Sequence, residues 1–597
     1  MVPRVLTVVV PAAALTAVAW WSGGYFPQSW GALLLAVAIG IAAVAILADR
    51  VELGRWSAAL VGALFLLVVW QVVTTAWAVA PDAPTLEAER TLVYAAAVFL
   101  ALLAVGRGRA PALVLSVLVG GGAVTIGALC AHAFGAGTPD DRLELPVGYP
   151  NASGIVAAAT LVLGLGLATG SPAAVRALAG GLAPSAAVAL ALSLSRGSIL
   201  AATLGIVVLC LVGTGLRDLA TIAVTVVPAA VAVVVASVAG DLQDPGVAPR
   251  EALALGAVAA LSAVGAWAAA ARRPAPAESG PGGHTRGRSL LVGACVLAGC
   301  ALVAVAVYQV RESRSAPSAL AGAPDRLLST STSSRGDYWD VAAHMVERHP
   351  LGGEGAGGFT RVWLRDRPAL LFVRDAHNLY LETLAELGPL GLALLLAALC
   401  TPLVGVLRVV STTAGRAALA AYVALVPHAA LDWDWELPAV TACTLLLGVA
   451  LVRLGAEEPM RLLGRAGRAA LLVTAIVLGA SAVAVQAGNR ATTDANDLLD
   501  RGDAGGALDA AVRARTFRPW ASEPWELIGE AELALGRAQA AQADLSHALR
   551  DDPRSWSAWL SLGVASTGRE RAVALDRARS LNPLALELGA LGPAANP

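Results

Sequence analysis

The residues best suited to chemistry in this chain are one histidine and three arginines. His377 sits in Arg374-Asp-Ala-His377-Asn378-Leu-Tyr380-Leu-Glu382. An imidazole can take a proton from a hydroxyl at neutral pH, because its unperturbed pKa is about 6.5. Arg335 opens the run Arg335-Gly-Asp-Tyr-Trp339, Arg196 lies in Ser195-Arg196-Gly197, and Arg142 precedes Tyr149-Pro150-Asn151. Guanidinium forks pair with phosphate oxygens and stay charged at any physiological pH, so the arginines suit a diphosphate. Each residue also has a plain reading. A lone histidine is more often packed or on the surface, and an arginine beside hydrocarbon can snorkel to the interface.

His377 and Arg335 belong to a polar stretch, residues 311–386, in a chain that is otherwise a succession of apolar runs. A loop well beyond ~15 residues is usually functional or disordered, and here Tyr338, Trp339, Phe359, Trp363 and Phe372 supply apolar anchors. Arg335 to Glu347 reads as an amphipathic helix with Trp339, Ala342, Ala343 and Val346 on one face. Pro350 to Phe359 is a glycine-dense turn without the Gly-Lys-Ser/Thr ending of a Walker site, so it is either a hinge or a set of amides for an anion. A second helix begins at His377 and runs through Gly388-Pro389 into the next apolar run. Asn378, Tyr380 and Glu354 either position a substrate or cap and pack. His344 and His349 are five apart, which does not match a same-face helical ligand pair, so no metal and no cofactor are expected.

These residues must be held by a membrane protein. The 597 residues are 57% hydrophobic and only 14% charged, with a mean hydropathy of +0.69; globular domains carry about 25% charged residues. The net charge of −1 offers nothing to a polyanion, so nucleic acid is excluded as a partner. All six cysteines lie in apolar segments, which argues against a disulfide framework. Runs long enough to cross hydrocarbon fall near 4–21, 29–48, 56–76, 91–106, 110–133, 153–170, 181–195, 198–215, 219–239, 251–271, 289–309, 388–407, 416–431, 437–452 and 468–486. The fold class is therefore all-α, a polytopic bundle of about 12 to 15 spans.

Short loops alternate in charge. Arg50, Arg55, Arg107, Arg109, Arg176, Arg217, Arg272, Arg273, Arg408 and Arg453 mark one side, while Asp82, Glu87, Asp140, Asp141, Asp241, Asp244, Asp432, Asp434 and Glu436 mark the other. The positive-inside rule then places the large loop and the C-terminal region outside. The expected divisions are membrane helices in 1–309, the large loop with the candidate residues in 310–387, further spans in 388–486, and a soluble region in 490–597. In that last region Pro519 and Pro553, Trp525 and Trp559, Gly529 and Gly563, and Ala514 and Ala548 are each separated by the 34-residue tetratricopeptide period. About two and a half repeats are expected, with a concave face on which a protein partner could dock.

Taken in order, Arg142 with Tyr149-Pro150-Asn151, Ser195-Arg196-Gly197, Arg335 with Trp339, Pro350 with the glycine run, His377-Asn378-Leu-Tyr380-Leu-Glu382, and His428-Ala-Ala-Leu-Asp432 resemble the O-antigen ligase and polymerase superfamily. The resemblance covers about residues 80 to 455. It implies a glycosyltransferase of the bacterial cytoplasmic membrane, acting at the outer face on an undecaprenyl-diphosphate-linked glycan without metal. By the same resemblance His377 is the general base, Arg196, Arg335 and Arg142 hold the diphosphate, and Asn378, Tyr380, Glu354 and Asn151 position the reactants. The acceptor is a lipid, a glycan or a protein, so ligase, polymerase and protein O-oligosaccharyltransferase remain open. A transporter or flippase of lipid-linked glycan would show broken helices and internal repeats among the spans, and neither is visible.

Overall fold

A computed structural model describes residues 4–133, 142–213, 215–238, 249–271 and 335–590. Among the described residues nine helices are long and apolar enough to cross a membrane, and three shorter apolar helices, Val5–Trp20, Arg196–Val212 and Gly256–Ala268, accompany them. The molecule is an all-α polytopic bundle whose described residues hold one short two-stranded ribbon. The span expected at 289–309 lies outside the described residues, as do Asp140, Asp141, Asp241, Asp244, Arg272 and Arg273.

Two boundaries differ from those expected. The short run at 181–195 is part of a longer helix, Ala173–Leu192, because the turn around Arg176 is itself helical. Arg176 is buried there and donates to the Ser171 carbonyl at 2.6 Å. The break expected near 486–490 is absent: the helix Arg465–Asp500 continues for 36 residues, about 54 Å at the usual rise. A rod of that length carries the chain from the apolar layer into the C-terminal region without a linker.

At the centre of the bundle stands the helix Pro150–Ala168, buried from Asn151 to Ala168. Its alanines and glycines let the helices Ala110–Ala133, Ala173–Leu192, Arg196–Val212 and Thr413–His428 approach closely, as membrane helix pairs require. This central placement fixes Tyr149 and Asn151 at its N-terminal end. The opposite end of the molecule is tied by the ribbon, Arg50–Glu52 against Met460–Leu462. Beside it the buried Arg453 donates to the carbonyls of Val105, Leu102 and Glu52 and pairs with Glu458 at 2.6 Å. A buried guanidinium is tolerable only when a counter-charge and acceptors meet it in this way, and all three of its nitrogens are engaged here.

The described part of the large loop is a compact layer. The helices Arg335–Arg348 and Phe359–Asp366 enclose Tyr338, Val341, Ala342, Met345, Phe359 and Trp363. The buried face is centred on Tyr338 rather than Trp339, and Ala343 is exposed. The reason is that the Tyr338 ring meets the Trp363 ring edge-on at 4.9 Å, and covering that pair turns the helix toward it.

The glycine-dense turn joins this layer to the helix Leu379–Cys400. Its amides do meet a carboxyl group, but an internal one: Glu386 accepts from Gly357 N at 2.8 Å and from Phe359 N at 2.9 Å. Gly353 and Gly388 have φ of +65° and +66°, and the two segments lie so close that a Cβ on Gly388 would sit 2.1 Å from the Leu351 carbonyl oxygen.

Beyond Asp500, paired helices from Ala504–Phe517 to Gly568–Leu581 pack in sequence order. They fold back onto the loop layer. Asp82 accepts from the Ser522 and Glu523 amides, Arg361 pairs with Asp552 at 2.7 Å, and Arg367 donates to Asn582 at 2.9 Å.

Replacing Gly388 by alanine combines a left-handed backbone with a steric overlap and should cost about 1–3 kcal/mol. The expected result is a lower unfolding midpoint in detergent and faster proteolysis between residues 351 and 386. A midpoint and a cleavage rate equal to wild type would show that the turn is not locked.

Candidate functional site

The site begins with a buried carboxylate. Asp432 follows the helix Thr413–His428, and its two oxygens accept from Tyr149 Oη at 2.9 Å, Asn151 Nδ2 at 2.6 Å, Arg335 Nη2 at 3.0 Å and the Trp433 amide at 3.0 Å. Burial alone would raise its pKa, but the charges of Arg335, His377 and His428 outweigh that and hold the carboxyl below the usual range. Asn151 in turn accepts from Arg142 at 2.8 Å, and Arg142 also donates to the Ser193 carbonyl at 2.9 and 3.0 Å. The Ser193 carbonyl precedes the turn into the helix Arg196–Val212, which Ser195 caps by accepting from the Ser198 amide.

These connections bring Arg142, Asn151, Arg196 and Arg335 to the wall of one polar cleft, with Ser195 and Gly197 between them and Asp432 at its side. Four of the expected residues, widely separated in sequence, therefore meet. Asn151, Arg196 and Arg335 stand at the N-terminal ends of three different helices and Arg142 in the irregular segment before the first of them, and the close helix packing of the bundle sets their spacing.

His377 adjoins this cleft through aromatic rings. Its imidazole lies 5.3 Å from Tyr338 and 6.3 Å from Trp433, and Trp433 packs 4.6 Å from Tyr149 and 5.2 Å from Tyr25. Instead of beginning the helix, His377 stands two residues ahead of it in a left-handed conformation, φ +55°. A non-glycine residue there carries strain, and such residues cluster at functional positions. Its Nδ1 is 2.9 Å from the Asp375 carbonyl, an acceptor only, so Nδ1 carries the proton and Nε2 is the basic nitrogen. Burial keeps the imidazole below its ordinary pKa, with Arg335 acting in the same direction and the Asp432 carboxylate opposing.

Three expected residues lie elsewhere. Asn378 caps the helix Leu379–Cys400, accepting from Leu381 N at 3.1 Å. Tyr380 donates to the Val426 carbonyl at 2.6 Å and pins that helix to its neighbour. Glu354 faces His349 at 3.7 Å. The capping and packing alternatives account for these contacts.

Sequence reasoning used Asp432 as a topological marker and, with His428, in the family resemblance, and Asp434 and Glu436 only as topological markers, yet this short segment supplies the cleft's counterion, the Trp433 ring and a second charged cluster. In that cluster Arg90 pairs with Glu87 and, at 3.3 Å, with Glu436. Ligand atoms of Asp375, Glu382 and Glu436 lie within 4.8 Å of one another, the spacing of a cation site. The Arg90 guanidinium already supplies a positive charge there. Burial pushes Asp375 up to about 6 and Glu436 well above the usual carboxylate range. The alternation of acids with tryptophans was the available signal.

Residues 250–396 match the family model described as O-antigen ligase. This supports the O-antigen ligase superfamily. The matched segment contains Arg335, the glycine turn and His377, whereas Arg142, Asn151, Arg196 and Asp432 reach the same place from outside it. No curated protein matches the chain.

The geometry fixes a sign for titration. His377 should be neutral at pH 7 and become protonated only as the pH falls through a value below about 6.5. Carbethoxylation of His377, followed by mass spectrometry, should report that midpoint. Asp432→Asn removes a charge that favours the imidazolium and should move it lower; a midpoint above the ordinary value, or an upward shift in the variant, would contradict the arrangement.

Proposed function

We propose that the protein transfers a glycan from undecaprenyl diphosphate to an acceptor hydroxyl, as a ligase of the O-antigen ligase superfamily working at the outer face of the bacterial cytoplasmic membrane. The observation that carries this reading is the meeting of Arg142, Arg196 and Arg335 in one cleft, with the His377 imidazole within electrostatic reach of Arg335 and Asp432. The family match supports the same class of membrane enzyme.

In this reading the donor's diphosphate enters the arginine cleft, and its oxygens compete with Asp432 for Arg335. The acceptor hydroxyl attacks the anomeric carbon from the face opposite the diphosphate, and His377 Nε2 takes its proton. The bond from the anomeric carbon to the diphosphate oxygen breaks with inversion, and the lipid diphosphate leaves with its charge spread over guanidinium donors. Arginine charge stands here where other transferases use a divalent ion. The half-buried rings of Trp433, which neighbours His377, and of Tyr25 and Tyr149, which pack on Trp433, provide faces on which sugar rings can lie.

We assign the C-terminal helices to tetratricopeptide-like repeats. Gly529 and Gly563, one period apart, each lie where an added Cβ would meet a leucine of the following helix at 2.6 Å, Leu545 and Leu575. Their contacts with Asp82, Arg361 and Arg367 put them on the same side of the bundle as the cleft. They are suited to hold an acceptor or a protein partner near the reacting end.

General base catalysis is typically worth about 10²- to 10⁴-fold. His377→Ala should therefore accumulate normally in membranes and lose at least about a hundredfold in transfer; turnover equal to wild type would end the assignment. Deletion of the protein, followed by sizing of the lipid-linked glycan, identifies the acceptor class. Long unligated chains are the expected product. Single units would make the protein a polymerase, and no accumulation of either would exclude both.

A further inference from the structure

Behind the cleft runs a chain of hydrogen bonds that the reaction as drawn does not use. Asp434 Oδ2 lies 2.5 Å from His428 Nδ1, His428 Nε2 lies 3.4 Å from Ser198 Oγ, and Ser198 Oγ donates to Ser195 Oγ at 2.8 Å. Asp434, His428, Ser198 and Ser195 are 5%, 2%, 0% and 3% exposed, so the chain is sealed from solvent up to its last member. Only its last member, Ser195, lines the cleft.

The arrangement has the order of an acid, a histidine and a serine, yet Ser198 is fully buried and cannot reach a substrate. Its function must be exerted through Ser195. Ser195 Oγ has two lone pairs, and both are engaged: one by the Ser198 amide at 3.3 Å, as the cap of the helix, and one by the Ser198 hydroxyl. A carboxylate at 2.5 Å favours an imidazole that carries both protons, whose Nε2–H then points at Ser198 Oγ; the one Ser198 proton is left to its nearer acceptor, Ser195 Oγ at 2.8 Å, over the Asn151 carbonyl at 3.2 Å. With its acceptor sites filled from behind, the Ser195 hydroxyl can only donate forward, into the cleft. The fit of the ring is tight as well: a Cβ on Gly197 would lie 3.0 Å from His428 Nε2, so the residue between Arg196 and Ser198 must be small for the chain to form.

Resting on the diphosphate reading above, the geometry points to Ser195 as a further ligand-contacting residue, a hydroxyl donor to an anionic oxygen of the donor's diphosphate, with Ser198, His428 and Asp434 as positioning residues that set the direction of its proton. The cleft then meets the diphosphate with a directed neutral donor as well as with three cations. A directed donor distinguishes a diphosphate oxygen from other anions by position, which a flexible guanidinium does less strictly.

The test uses the full-length protein in nanodiscs and compares its affinity for undecaprenyl diphosphate with that for undecaprenol. A hydrogen bond to a charged group corresponds to about a tenfold or greater change in affinity. Ser195→Ala should weaken undecaprenyl diphosphate binding by about that factor and leave undecaprenol unchanged, and Ser195→Thr, which keeps the hydroxyl and the cap, should restore it. Asp434→Asn should weaken diphosphate binding in the wild-type background and have no further effect on Ser195→Ala, because both act through one hydroxyl.

Wild-type diphosphate affinity in Ser195→Ala would overturn the proposal while leaving the diphosphate site standing. An Asp434→Asn effect of the same size in both backgrounds would show a merely structural role for that residue and overturn the relay. If Ser195→Ala fails to accumulate, unchanged diphosphate affinity in Asp434→Asn overturns the proposal instead. A wild-type protein that does not prefer undecaprenyl diphosphate over undecaprenol would defeat the diphosphate reading itself, and this proposal with it.

Discussion

A carboxylate buried in a helical bundle has to be neutralised and hydrogen-bonded, since an uncompensated charge in such a setting costs several kcal/mol. Asp432 meets that demand with a guanidinium, an amide, a phenol and a backbone N–H. Those partners come from the start of the loop layer, from the entry to the central helix and from its own turn. Satisfying one charge therefore fixes the positions of Arg335, Asn151 and Tyr149 together, and through Asn151 also Arg142. The cleft is the space these obligations leave open.

The same rule recurs around it. Arg90 stands among Glu87, Glu436 and nearby Asp375 and Glu382, and His428 is matched to Asp434. At the opposite end of the bundle Arg453 is tied to Glu458 and three carbonyls. The buried charges belong to two layers, one at each end, with apolar helices between. One layer stabilises and joins loops. The other stabilises too, but it also presents cations toward a cleft; in the proposed function that is where a charged lipid headgroup is met without entering hydrocarbon.

Most of the scaffold was legible in the sequence. Hydropathy located most of the described spans to within a few residues, with the helices Ala83–Ala104, Ala173–Leu192, Leu379–Cys400 and Arg465–Asp500 running well past the apolar runs, and charge alternation sorted the loops into two sets. The ribbon between Arg50–Glu52 and Met460–Leu462 joins two loops of one set, while Asp432 joins members of the other. What stayed open were features whose meaning depends on a partner. The glycine turn was open to reading as a hinge or as amides for an external anion, and Glu386, some thirty residues later, fills two of those amides. Asn378, Tyr380 and Glu354 flank His377 or the turn, and their packing partners lie far off in sequence or in the local chain: Asn378 and Tyr380 hydrogen-bond to the helix Leu379–Cys400 and its neighbour, and Glu354 stands 3.7 Å from His349.

Residue type and period decide local matters: which segments are apolar enough to cross a membrane, where a polar layer interrupts them, and which side chains are able to hold phosphate or accept a proton. These depend on the intrinsic properties of a few consecutive residues, so the sequence by itself determined them. Pairing does not. That Asp432 takes Arg335, 97 positions away, that Asp434 and His428 back onto Ser198, and that His377 is turned into a left-handed conformation with Nδ1 bound to its own chain were decided only when helices distant in sequence packed together. Electrostatic and hydrogen-bond energies depend on distance in space, and that distance is set by packing.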